Sequence, residues 1–63
     1  MKENNIKKAG EHINAALGFL EIALSEGSSV ESIIILGLMG DVVKLRDRNA
    51  QLLTAMQVDA GES

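Results

Sequence analysis

Cysteine and proline are absent from this 63-residue chain, and Phe19 is its single aromatic residue. A chain this short buries only about 60% of the surface its unfolded form exposes, which leaves a lone monomer marginal. The usual remedies are disulfides, a structural metal or association with another chain. Without cysteine the first is excluded, and a zinc site would have to be built from His12 and carboxylates alone. Association remains, and no cofactor is implied.

Positive charge is scarce as well. Nine acidic residues against six basic ones give a formal charge of −3, the wrong sign for a surface that grips nucleic acid or anionic lipid as a whole. Long hydrophobic runs are also missing. The longest, Ile33 to Met39 with Gly40 behind it, is stopped by Asp41 and falls far short of the ~20 residues that a membrane helix requires. Met1 to Lys8 is polar, with no apolar signal core behind its lysines. The expected address is therefore the cytoplasm, with no membrane partner, in keeping with the missing cysteines.

What the chain does have is helical periodicity. Ile6, Gly10, Ile13, Leu17, Leu20 and Leu24 recur every three or four positions, while Lys7, Glu11, Asn14, Gly18, Glu21 and Ser25 fall opposite them. This spacing predicts an amphipathic helix over residues 5–25. A second ladder, Ile35, Leu38, Val42, Leu45, Asn49, Leu52 and Met56, is a heptad seam with one polar position at Asn49. It predicts a helix over 29–57.

Between the two lies Ser25-Glu26-Gly27-Ser28-Ser29. Gly27 is placed to close the first helix in a left-handed conformation. Ser28 stands three residues before Glu31, the spacing of a capping box. So short a connection makes the helices antiparallel neighbours. The expected fold is all-α, a two-helix hairpin over 1–58 with a flexible tail at 59–63. Gly37 and Gly40 inside the second helix cost about 1 kcal/mol each relative to Ala, so they mark either close backbone approach or a bend. A break at Gly40, with Asp41 capping a third helix, is the alternative.

Length mismatch between the helices predicts an overhang that leaves Leu52, Leu53 and Met56 without partners in the same chain. Ile33, Ile34, Ile35, Leu36, Leu38 and Met39 also cover nearly the whole circumference of their helix, more than one neighbour can shield. In the first helix Ala9, Ala16 and Ala23 repeat every seven residues, with Phe19 and Ile22 beyond them. A twofold dimer forming a four-helix bundle would bury both sides. The expected interface comprises Ile13, Leu17, Phe19, Leu20 and Leu24 from the first helix. From the second it takes Ile35, Leu38, Val42, Leu45, Asn49, Leu52, Leu53 and Met56. Asn49 in that seam reads as a register device, paired with its symmetry mate.

The chemistry-bearing residues have plain explanations. His12 has Lys8 and Ala16 as its helical neighbours, which supply no metal ligand, and there is no cysteine nucleophile for it to activate. Ser25, Ser28, Ser29 and Ser32 surround the loop, where capping accounts for them. Gly37-Leu-Met-Gly40 lacks the strand and the lysine of a phosphate-binding loop. Lys44, Arg46 and Arg48 form a basic cluster, broken by Asp41 and Asp47 at salt-bridging distances from Lys44. No enzyme is indicated. The sequence points to a small regulatory or adaptor protein acting by protein contact as a homodimer, of the kind that phage and other mobile elements carry. Two alternatives stand beside it: a nucleic-acid-binding regulator using Lys44, Arg46 and Arg48 in a helix-turn-helix, and a subunit or chaperone of a hetero-oligomeric helical complex.

Overall fold

The computed structural model describes residues 2–62, with side chains described for residues 3–59. Two helices, α1 (Lys2–Glu26) and α2 (Ser29–Glu62), pack against each other as an antiparallel hairpin. The molecule is a rod of 52 × 15 × 11 Å, its long dimension set by the 34 residues of α2 at about 1.5 Å per residue.

The loop is built by the capping box. The Ser28 amide donates to Glu31 Oε1 at 2.7 Å and the Glu31 amide donates to Ser28 Oγ at 3.3 Å. The Ser32 amide then donates to the Ser28 carbonyl at 2.8 Å, the first turn of α2. These bonds hold the Glu31 carboxyl below its ordinary pKa, chiefly through the backbone amide of Ser28 and then through its hydroxyl. Gly27 plays a different part from the one expected. No described glycine has positive φ, so Gly27 does not end α1 in a left-handed turn. A Cβ there would lie 3.3 Å from the Ala23 carbonyl oxygen and 3.3 Å from Glu31 Cβ. What the position demands is space.

Along α1 the expected ladder holds. Ile6, Gly10, Ile13, Leu17, Leu20 and Leu24 are all half-buried, and they face α2. The α2 ladder divides. Ile35, Val42, Asn49 and Met56 turn to α1, but the row beside them is Ser32, Met39 and Leu53. Leu38, Leu45 and Leu52 point outward instead, 48%, 54% and 47% exposed.

Two further expectations are corrected, and the unbroken second helix is met. α1 begins at Lys2 rather than 5, so its first turns reach Leu53 and Met56, which are half-buried rather than overhanging. α2 passes unbroken through Gly37 and Gly40, and a Cβ at either would meet nothing within 4 Å. The three-helix alternative is thus not formed, and neither glycine serves close approach within the hairpin. The apolar spacing keeps its phase across both, so packing against α1 outweighs their propensity cost. Finally, α2 continues to Glu62, through most of the segment expected as a tail. Ser63 lies outside the described residues.

Candidate functional site

The hairpin lacks a core. Among the described residues none is buried, apolar or polar. The chain exposes 4878 Å², whereas a compact monomer of its 6.7 kDa exposes about 3,900 Å². The excess is about 1,000 Å². Large apolar side chains are part of the exposed surface: Phe19 is 73% and Ile33 72% exposed, and Ile22, Val30, Ile34 and Leu36 are all more than half exposed.

These residues are distributed by the register of the hairpin, which Asn49 fixes. Its Nδ2 donates to the Ile6 carbonyl oxygen at 3.1 Å, the one side-chain hydrogen bond between the helices among the described residues. Gly10 makes this approach available, since a Cβ there would lie 3.2 Å from Asn49 Oδ1. The sequence suggested Asn49 as a register device paired with a symmetry mate. Its partner is in its own chain.

From this register the two flanks of the hairpin follow. On one flank the groove between the helices is lined by Asn5, Ile6, Leu52 and Met56 at the open end, and by Ala23, Gly27, Ile34 and Ile35 at the loop end. Stepping by seven residues along each helix keeps to one face. Ala9 and Ala16 therefore share this flank with Ala23, and Leu38 and Leu45 share it with Leu52. The opposite flank is lined by Lys7, Glu11 and Asn14 of α1 and by Arg46, Asn49 and Ala50 of α2. One flank is thus a strip of alanine beside a strip of leucine, with Glu26 and Glu31 at its loop end; the other is charged and polar at its open end, with Gly10 and Leu53 also lining it, and carries Val43 and Leu36 nearer the loop.

The remaining candidates fall outside this strip or at its rim. Ile13, Leu17, Leu20 and Leu24 face α2 and are spent on the hairpin itself. Phe19 and Ile22 stand with Ala15 and Gly18 around a shallow apolar depression on the outer side of α1. Lys44, Arg46 and Arg48 are exposed on an unbroken helix, so no turn presents them as a recognition helix. The expected pairs of Asp41 and Asp47 with Lys44 do not form among the described residues; Asp47 Oδ1 lies 3.7 Å from Arg46 Nε instead. His12 is exposed. Among the described residues no group of three His, Cys, Asp or Glu side chains could hold a metal ion, and no helix is long and apolar enough to cross a membrane.

Met39 and Ser32 are half-buried residues that the heptad seam did not single out. The signal was present in a second ladder, Ser32, Ile35, Met39, Val42, Asn49, Leu53 and Met56, which competes with the first at the same spacing but is interrupted at the exposed Arg46. The leucine row looked like the better seam because it is the more apolar of the two. No family model matches the chain, and no curated protein and no solved structure matches it.

Proposed function

We propose that this chain is a small non-enzymatic protein that acts through helix-helix contacts as a homodimer, in a regulatory or adaptor role. The observation that carries the reading is the missing core. A hairpin with no buried residue among those described has little to set against the conformational entropy of ordering its two helices. Covering the exposed half of each of Leu38, Leu45 and Leu52 contributes about 1 kcal/mol. A second copy offers the same strip in return, so one contact rescues both chains.

The adaptor role rests on what a dimer through that flank leaves uncovered. Ile22 of α1 and Ile33 and Leu36 of α2 project away from it, near the loop end, and stay exposed. Exposed apolar patches rimmed by polar residues are the ordinary mark of a protein contact site. The acidic balance of the chain argues against nucleic acid as the ligand.

Substitution separates the two surfaces. Leu45→Asp or Leu52→Asp is expected to abolish association and, with it, much of the helicity measured by circular dichroism. Ile33→Asp is expected to leave both intact. A Leu45→Asp chain that stays a folded dimer would show that the seam lies elsewhere.

A further inference from the structure

The homodimer reading leaves open how the two hairpins are oriented, and the leucine and alanine strips bear directly on this. We propose that the second copy packs with its twofold axis parallel to the helices. Leu38, Leu45 and Leu52 of each α2 then seat on Ala9, Ala16 and Ala23 of the other copy's α1, and both loops lie at the same end of the bundle. This inference rests on the homodimer proposal and adds its geometry.

Area identifies the occupant. The excess exposed surface of about 1,000 Å² is close to the ~800 Å² that each partner buries in a standard stable interface. A second copy of the chain is thus large enough to take it up.

Shape sets the orientation. Asn49 lies against Ile6 and Gly10, Leu52 lies beside Asn5 and Ala23 beside Ile34. With that register the leucines and alanines alternate in height along the rod: Leu38 falls between Ala16 and Ala23, Leu45 between Ala9 and Ala16, and Leu52 beyond Ala9 beside Asn5. An axis parallel to the helices carries the alanine strip of one copy over the leucine strip of the other. Leu38 and Leu45 then each enter a hole between two alanines, the knobs-into-holes condition, and Leu52 packs beyond Ala9. An axis perpendicular to the helices sets leucine on leucine and alanine on alanine, which crowds one side and leaves a void on the other.

Phe19, Val30, Ile34 and Leu38 stand in the loop half of this side together with Glu26 and Glu31, and Leu52 and Val58 stand in the open half with Asn5, Arg48 and Asp59. With the loops together, the exposed Phe19 ring reaches the level of Gly37 in the second copy, where a Cβ would meet nothing within 4 Å. The parallel axis does bring Glu21, Glu26 and Glu31 of both copies to one end. Those carboxylates are exposed, where solvent and salt keep repulsion small.

The chain has no cysteine, so a single introduced thiol takes a spin label uniquely. The full-length Ser29→Cys protein, labelled at the loop, is measured by electron-electron double resonance, with circular dichroism confirming unchanged helicity. Loops at one end place the two labels across a bundle about two helix diameters wide, a separation below about 30 Å. A dimer giving about 40 Å or more, most of the length of the rod, would overturn the orientation while leaving the homodimer standing. A chain that shows no dipolar coupling and sediments as a monomer would overturn both. Ala16→Leu, which fills the hole between two leucine levels, is expected to weaken dimerisation at least tenfold, whereas Ala15→Leu on the outer side of α1 leaves it unchanged. Equal dissociation constants for those two variants would remove the alanine strip from the interface.

Discussion

Asn49 Nδ2 donates to the carbonyl oxygen of Ile6 at 3.1 Å, a contact that joins the open end of the hairpin across 43 residues of sequence. It is half-buried and lies against Gly10, where any Cβ would press on the amide. The pair fixes both the height and the rotation of α2 against α1, and that rotation turns the leucine row outward. A net hydrogen bond of this type contributes about 1 kcal/mol. Asn49→Ala is expected to lower the unfolding free energy by about that amount in urea titration, with the larger change seen in the hydrogen exchange of residues near Ile6.

Glycine substitutions sort themselves by surroundings. Gly18 and Gly40 each face open space, so alanine there gains helix propensity of about 0.8–1 kcal/mol without a clash. Both sites stay outside the proposed dimer strip, and both variants are expected to raise the melting temperature. Gly10→Ala gains the same propensity but displaces Asn49, offsetting it with the lost bond. Its melting temperature is expected to stay at or below that of the parent chain; a rise equal to that of Gly18→Ala would show that Asn49 is not held there.

The capping box makes stability depend on acidity. Glu31 is held below its ordinary pKa by the amide and the hydroxyl of Ser28. A carboxyl depressed in the folded state contributes stability that is complete above its unfolded pKa and is lost as pH falls through the lower folded value. The parent chain is therefore expected to lose stability on acidification through the carboxylate range, and Glu31→Gln to lose less over that range while starting from a lower plateau at neutral pH. Ser28→Ala removes the other half of the box and is expected to cost about 1 kcal/mol. Thermal melts between neutral and acid pH measure all three.

The basic cluster supplies a contrast. Among the described residues Arg46 pairs only with its neighbour Asp47, at 3.7 Å and in the open, and exposed pairs contribute at most about 0.5–1 kcal/mol. Arg46→Ala and Arg48→Ala are expected to leave stability and dimerisation within about 0.5 kcal/mol of the parent. A gel-shift titration at low salt is expected to show no retardation of duplex DNA or RNA. Retardation abolished by either substitution would instead favour the nucleic-acid reading.

Much of this architecture was legible from residue spacing. The six-residue ladder from Ile6 to Leu24 and the Ser28/Glu31 box placed α1, the loop and the start of α2, because a single amphipathic face and a reciprocal cap are local features. Helix ends were less legible: α1 starts at Lys2 and α2 runs to Glu62, since no proline stops either one. The rotation of α2 was not legible. Two ladders share Ile35, Val42, Asn49 and Met56 and differ only in whether the leucines or Met39 and Leu53 complete them. Choosing between them takes a tertiary fact, the fit of Asn49 into the gap at Gly10. The outward leucine strip therefore emerges only once the hairpin is closed.

Sedimentation equilibrium of the full chain, over protein concentrations from micromolar to millimolar, tests most directly whether a second copy supplies the missing core. The account predicts a species of twice the 6.7 kDa chain mass, with a melting temperature that rises with concentration and a Leu45→Asp variant that neither associates nor folds. A cooperatively folded monomer of 6.7 kDa throughout that range, with a concentration-independent melting temperature, would contradict it.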